Sequence, residues 1–258
     1  MIKKLFKLKE KYQPVEYKAN EVINKGQDIM YRANMMGSDE GKLSETQASA
    51  IIIRGMLKVG HGCLIEYMMH RKIKKELISL GLYKEDEIVI GINELNDSKT
   101  KVKVFIGDID YRANIRKKDL DSLEVIFGNA SFIALNSQYG DEENISSHIK
   151  NIKVVTGNLL LNDLTCPIDL VAVFGNTDLT FVKNMNNLNK FRYNLGNLSL
   201  TGEQYPQSLK KVGKNIIVTG DVVPNQFAFS GIEDFSGDLK FMKSNLKFSK
   251  NGRTYIKI

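Results

Sequence analysis

Few residues in this chain have the type and spacing that chemistry demands. There are three histidines, His61, His70 and His148, and two cysteines, Cys63 and Cys166. His61, Cys63 and His70 offer ligand atoms, but no C-x-x-C or H-x-x-x-H spacing accompanies them, so a zinc site is not expected. A Cys63 nucleophile served by a His70 base fails on geometry, since seven residues along one helix are about 10 Å of rise, beyond hydrogen-bond reach. Asp108, Asp110, Asp119 and Asp121 form a carboxylate set of the kind that holds a cation. Arg112, Arg116, Lys117 and Lys118 are interleaved with them, which points to surface ion pairs instead. Gly60-His61-Gly62 lacks the third glycine and the preceding strand of a dinucleotide-binding loop. No nucleophile, acid and base come together, so the chain reads as a non-enzyme that uses no cofactor and no metal.

The elements around these residues are more informative. The chain has 258 residues, 42% hydrophobic and 26% charged, enough to bury a large core without disulfides. The two cysteines lie in different halves, which points to a reducing cytoplasm. Trp is absent and there are only four Pro, against many Lys, Asn and Ile, a bias expected of an AT-rich bacterial or phage genome. No run of about 18 apolar residues occurs, so no membrane span is expected, and Met1–Tyr12 lacks the apolar stretch of a signal peptide. The formal net charge is +7 and is unevenly placed. Residues 1–84 hold 16 Lys/Arg against 9 Asp/Glu, whereas residues 85–258 hold 21 of each. A basic first part beside a neutral second part predicts two units with different tasks.

The first part reads as helical. Ser44-Glu45-Thr46-Gln47 is a capping box. Ala48, Ile51, Ile52, Gly55, Met56 and Val59 follow at helical spacing, and Gly60-His61-Gly62 is expected to end that helix. A further helix is predicted over residues 63–80, with Leu64, Tyr67, Met68, Ile73, Leu77 and Leu80 buried. Its other face carries Arg71, Lys72, Lys74 and Lys75, the candidate partner-binding residues. An earlier helix is predicted over 17–36, with Val22, Ile29, Met30 and Ala33 inward and Gly37–Gly41 as its exit loop. Two helices joined at a glycine turn admit a helix-turn-helix reading, with the lysines on phosphates. The simpler reading is a helical bundle with a solvated basic face.

The second part repeats. Two or three apolar residues, Gly, Asn or Asp, and then alternating apolar residues recur at Gly107-Asp108, Gly128-Asn129, Gly157-Asn158, Gly175-Asn176, Gly196-Asn197 and Gly237-Asp238. A degenerate copy is Gly213-Lys214-Asn215, or in another register Gly220-Asp221. The glycines, counting Gly213, are 21, 29, 18, 21, 17 and 24 residues apart, a solenoid-like unit length. The longest gap holds the polar insertion Ser137–Ser147, and Ile149–Ile152 and Leu209–Val212 add spaced apolar residues ahead of their glycines. Gly-Asn between alternating apolar residues is also a hairpin signal, and a run of hairpins would build an antiparallel sandwich. Near-constant spacing of the same glycine favours a parallel stack, with glycine where adjacent coils would otherwise collide.

The pattern Ile152-Lys153-Val154-Val155-Thr156-Gly157-Asn158-Leu159-Leu160-Leu161 and its relatives, over residues 101–248, resemble the leucine-rich-repeat-like proteins of the receptor L-domain type. That resemblance implies a right-handed β-solenoid and a protein-binding surface. Disulfide-rich caps of extracellular relatives are missing from this sequence. The expected fold class is α+β, a basic helical domain over 1–100 and a parallel β-solenoid over 101–258, with the helical part and Arg253–Ile258 as end caps. The expected function is that of a cytoplasmic scaffold binding a macromolecule, a protein first and nucleic acid through residues 1–84 second, with no membrane role. A phage-type inhibitor of a host nucleoprotein would merge the two.

Overall fold

The computed structural model describes residues 1–38, 44–110, 115–132, 146–162, 167–182, 184–202, 204–220, 229–243, 248–249 and 252–253. The polar insertion over 137–145, the loop over 39–43, Arg112, Cys166, Asp221 and residues 254–258 lie outside them. The chain divides into two compact units, in essence residues 3–82 and 83–258.

In the first unit, helix α1 runs Ile2–Ser38 and helix α2 runs Glu45–Ser79. The Ser44 hydroxyl accepts from the Gln47 amide and the Gln47 side chain accepts from the Ser44 amide, so the capping box forms as its sequence dictates. Helix α1 starts 15 residues before the predicted position. Its inner face is a seven-residue series of Leu5, Tyr12, Ala19, Gly26 and Ala33, all buried, in which the middle members are too small to register as hydrophobic periodicity.

Helix α2 answers with Gly55, Gly62 and Met69, also seven apart and buried. The expected break at Gly60–Gly62 does not occur. A Cβ at Gly62 would lie 2.5 Å from Ile23 Cγ1 and 3.0 Å from the Ala19 carbonyl, and one at Gly55 would lie 2.8 Å from the Gly26 carbonyl. These glycines let two antiparallel backbones touch. An interior glycine costs a helix only about 1 kcal/mol, which this close packing offsets. A continuous α2 also removes the turn of a helix-turn-helix. The predicted buried stripe needs a second correction: Ile73 and Leu77 are buried, but Leu64, Tyr67, Met68 and Leu80 are exposed. The glycine seam occupies the side of the helix facing α1 and turns those four residues outward.

The second unit is a parallel β-solenoid, and no hairpin stands at its Gly-Asn corners. One eight-stranded sheet comprises Ile88–Ile90, Val104–Ile106, Val125–Phe127, Val154–Val155, Ala172–Val173, Tyr193–Asn194, Lys211–Val212 and Asp234–Phe235. A seven-stranded sheet comprises Ile109–Asp110, Ala130–Ser131, Leu159–Asn162, Thr177–Phe181, Leu198–Thr201, Ile216–Gly220 and Leu239–Lys243. Every neighbour within these two sheets pairs in parallel, for example Val104 with Val125 and Leu198 with Ile216. The chain turns from the first sheet to the second at each corner and returns through a tight turn. That return turn recurs as Leu120–Leu123, Ile149–Ile152, Pro167–Leu170, Leu188–Phe191, Pro206–Leu209 and Phe229–Ile232, each closed by a hydrogen bond from the fourth residue to the first. Its apolar fourth residue enters the core beside Phe105, Ile126, Val155, Val173 and Val212 from the first sheet and Leu159, Leu179, Leu198 and Ile216 from the second.

Candidate interaction surfaces

The corners hold the coils in register. The backbone amide of Asn129 donates to Asp108 Oδ1 at 2.7 Å, Asn158 to Asn129 at 2.8 Å, and Asn176 to Asn158 at 2.8 Å. The series continues with Asn197 to Asn176 at 2.9 Å, Asn215 to Asn197 at 3.1 Å, and Asp238 to Asn215 at 3.0 Å. Each side chain thus satisfies an amide that the corner would otherwise leave unpaired. At Gly128, Gly157, Gly175, Gly196 and Gly237 the glycine before the ladder residue is there for space: a Cβ at Gly157 would lie 2.6 Å from the Gly128 carbonyl. Gly213 sits one residue early, so that Lys214 fills the corner position against Gly237 and Asn215 keeps the ladder in register.

A second series runs along the residues that immediately precede the first-sheet strands. Glu87, Lys103, Glu124 and Lys153 alternate in sign coil by coil. Lys103 Nζ meets Glu87 Oε1 at 2.7 Å and Lys153 Nζ meets Glu124 Oε2 at 2.9 Å. The Lys103 ammonium, and then the Lys84 amide, hold the Glu87 carboxyl below its ordinary range, while Glu87 holds Lys103 above its own. Burial, and then Glu124 and Glu87, push the Tyr83 phenol up to about 12. Sequence reasoning did not single out this rail. Its signal was the sign alternation just ahead of the first four strands of that sheet.

Beside the rail lies an open groove of about 590 Å³, lined by Lys101, Lys103, Lys118 and Lys153 and by Asp119, Asp121, Glu124 and Asp169, among others. Four cations face four carboxylates, so the groove is charged without a dominant sign. Much of its charge is already paired: Arg116 Nε with Asp119 Oδ2 at 2.7 Å, His148 Nδ1 with Asp121 Oδ1 at 2.6 Å, and Lys190 Nζ with Asp169 Oδ1 at 2.5 Å. The carboxylates singled out in the sequence do not converge on one point. Asp108 is committed to the corner ladder, Asp119 to Arg116 and Asp121 to His148. No cluster of three His, Cys, Asp or Glu able to hold a metal occurs among the described residues.

The first unit carries the remaining predicted residues. Arg71, Lys72 and Lys75 are exposed in the last turns of α2, and Lys74 is half-buried. The Arg71 guanidinium lies 6.0 Å from the centre of the Tyr67 ring. Because the helices are antiparallel, the start of α1 adds its exposed Lys3, Lys4 and Lys7 to the same end of the hairpin. Lys4 Nζ reaches the Leu80 carbonyl at 3.5 Å, and Lys11 Nζ and Tyr12 Oη both reach Glu76 Oε1 at 2.5 Å. Burial, and then Glu76, push the Tyr12 phenol up to about 12, and Lys11 and Tyr12 hold Glu76 below the usual carboxylate range. His61 and Cys63 are exposed, and His70 Nε2 lies 3.9 Å from Glu66 one turn away, so the three do not converge. By length and composition alone, Thr46–Ser79 is long and apolar enough to cross a bilayer, although no 18-residue stretch of it is free of charge.

No protein-family description, curated protein or solved structure matches this chain.

Proposed function

We propose that the chain is a non-enzymatic, cytoplasmic interaction protein of the leucine-rich-repeat-like type, which holds a macromolecular partner, a protein, against its solenoid and the cationic end of its helical unit. The observation that carries this reading is the solenoid's construction. Seven corners locked amide by amide make a rigid stack, and at the other end of the first-sheet strands, beside the charged rail, lies a charge-balanced groove suited to a polar protein segment. A preorganised surface loses little entropy on binding, which is the physical advantage of presenting side chains on a stack. Affinity capture from a lysate of the source cell tests it. The full chain should retain one protein in stoichiometric amount, and a Lys118→Glu/Lys153→Glu variant should release it. Capture of nothing in gentle salt would overturn the reading.

A second reading has its own observation, the exposed Arg71, Lys72 and Lys75 beside Lys3, Lys4 and Lys7. Cations gathered at one end of a hairpin suit nucleic-acid phosphates, and binding there would weaken steeply with salt as counterions are released. A gel shift that is absent, or insensitive to salt, would remove it.

A further inference from the structure

Helix α2 is apolar on two opposite sides. One side holds Gly55, Gly62 and Met69 against α1. The other follows a three-four spacing through Ala50, Ile53, Leu57, Gly60, Leu64 and Tyr67, and it faces solvent. Ile53 is 57% exposed, Leu57 71%, Leu64 57% and Tyr67 45%. A helix with apolar residues on both sides is normally the inner member of a bundle. The outer face of α1, by contrast, carries the exposed ion pairs Glu21–Lys25 and Asp28–Arg32.

We propose that this outer seam of α2 is covered by the same seam of a second copy of the chain, running antiparallel about a two-fold axis beside Gly60 and His61. The seam is self-complementary about that point. Leu57 of one copy then meets Leu64 of the other, Ile53 meets Met68, and Arg54 comes to the Tyr67 ring in the way Arg71 already does within one chain. At the centre, a Cβ added to Gly60 would meet nothing within 4 Å, so the backbone there is open to close approach by another helix. Charge also selects this arrangement. Residues 46–65 contain no Asp or Glu, so a parallel pair would set Arg54, Lys58, Arg71, Lys72 and Lys75 against their own copies. The antiparallel pair sets Arg71, Lys72 and Lys75 against the uncharged Ala50, Ser49 and Thr46. Ile53, Leu57, Leu64, Tyr67 and Met68, each about half exposed or more, amount to roughly 500 Å² per copy, so the pair reaches about 1,000 Å², the least that a specific interface needs. A bilayer would require a broader apolar face than a seam bounded by Arg54, His61 and Lys72. The inference uses a different surface from the solenoid groove and does not depend on it.

Light scattering on the purified full chain, run through size exclusion at rising concentration, tests the proposal. The expected mass is twice the 29.2 kDa of one chain, falling to a single chain in Leu57→Asp/Leu64→Asp with unchanged helix content, because both side chains are exposed. With Cys63 and Cys166 replaced by Ser, Gly60→Cys should oxidise to a covalent dimer while Thr46→Cys does not, because an antiparallel pair separates the two copies of Thr46 by about 40 Å at 1.5 Å per residue. A wild-type single chain throughout would overturn the proposal, as would a dimer that survives the double Asp variant, or equal cross-linking at both cysteines. A single chain that sediments with vesicles of equal phosphatidylcholine and phosphatidylglycerol, and no longer does so in the double Asp variant, would assign the seam to lipid and overturn it as well.

Discussion

The backbone amide of Asn176 donates to the side-chain carbonyl of Asn158 at 2.8 Å, one coil away, and Asn158 is itself a donor to Asn129 by the same bond. One residue therefore serves two coils, accepting through its side chain and donating through its backbone. Removing its carboxamide leaves the next amide without its acceptor.

Asn158→Ala should therefore destabilise the solenoid by about 1–2 kcal/mol, the cost of an amide left without its bond. Asn158→Asp keeps an acceptor oxygen, as Asp108 does at the first corner, and should lose clearly less. Urea unfolding of the two variants beside the parent measures the difference. Equal losses would show that the oxygen is not what matters.

Gly157→Ala should cost more than either, about 3 kcal/mol. Its Cβ would lie 2.5 Å from Asn129 Oδ1 and 2.6 Å from the Gly128 carbonyl, and backbone cannot swing aside as a side chain can. The same unfolding experiment reads it. A near-neutral result would mean that the corner is looser than these distances imply.

The stack was legible from the sequence because its construction repeats. Gly-Asn before alternating apolar residues carries both the close approach and the ladder, and Asn215 kept the pattern visible where Gly213 slipped by one position. The helical hairpin was harder to read for the opposite reason. Ala19, Gly26, Gly55 and Gly62 form its seam because they are small, and small residues carry little hydrophobic signal. Leu64, Tyr67 and Met68 then looked like core when they are surface. The Glu87–Lys103–Glu124–Lys153 rail escaped notice because its members are 16 to 29 residues apart and only the coil brings them together.

Gly62→Ala tests the hairpin seam. The added methyl meets Ile23 Cγ1 at 2.5 Å and the Ala19 carbonyl at 3.0 Å, so despite the better helix propensity of Ala the variant should be less stable by about 1–3 kcal/mol. Asn20→Ala, on the exposed outer side of α1, should be close to neutral. Thermal melts followed by helical circular dichroism compare them, and a stabilised Gly62→Ala would mean that the two helices stand further apart.

The Tyr12–Glu76–Lys11 cluster gives the helical unit a defined pH response. Glu76 is held below its ordinary range, so its contribution is in place above that range and is lost as pH falls through the lowered value. Tyr12 is pushed up to about 12, so the contribution of its neutral phenol is complete below pH 10, the ordinary tyrosine value, and fades as pH rises toward 12. Glu76→Gln should flatten the acid limb and bring the Tyr12 titration, followed by ultraviolet absorbance, back toward 10. An unchanged acid limb and an unchanged Tyr12 titration would disconnect the pair.

A rigid parallel stack is the premise of the binding surface, and amide hydrogen exchange at the corners probes it most directly. The amides of Asn129, Asn158, Asn176, Asn197 and Asn215 should exchange slowly and together, as parts of one cooperative unit, and Asn158→Ala should selectively speed exchange at Asn176. Fast exchange at these amides in the parent chain, or an Asn158→Ala effect no greater at Asn176 than at Asn215, would contradict it.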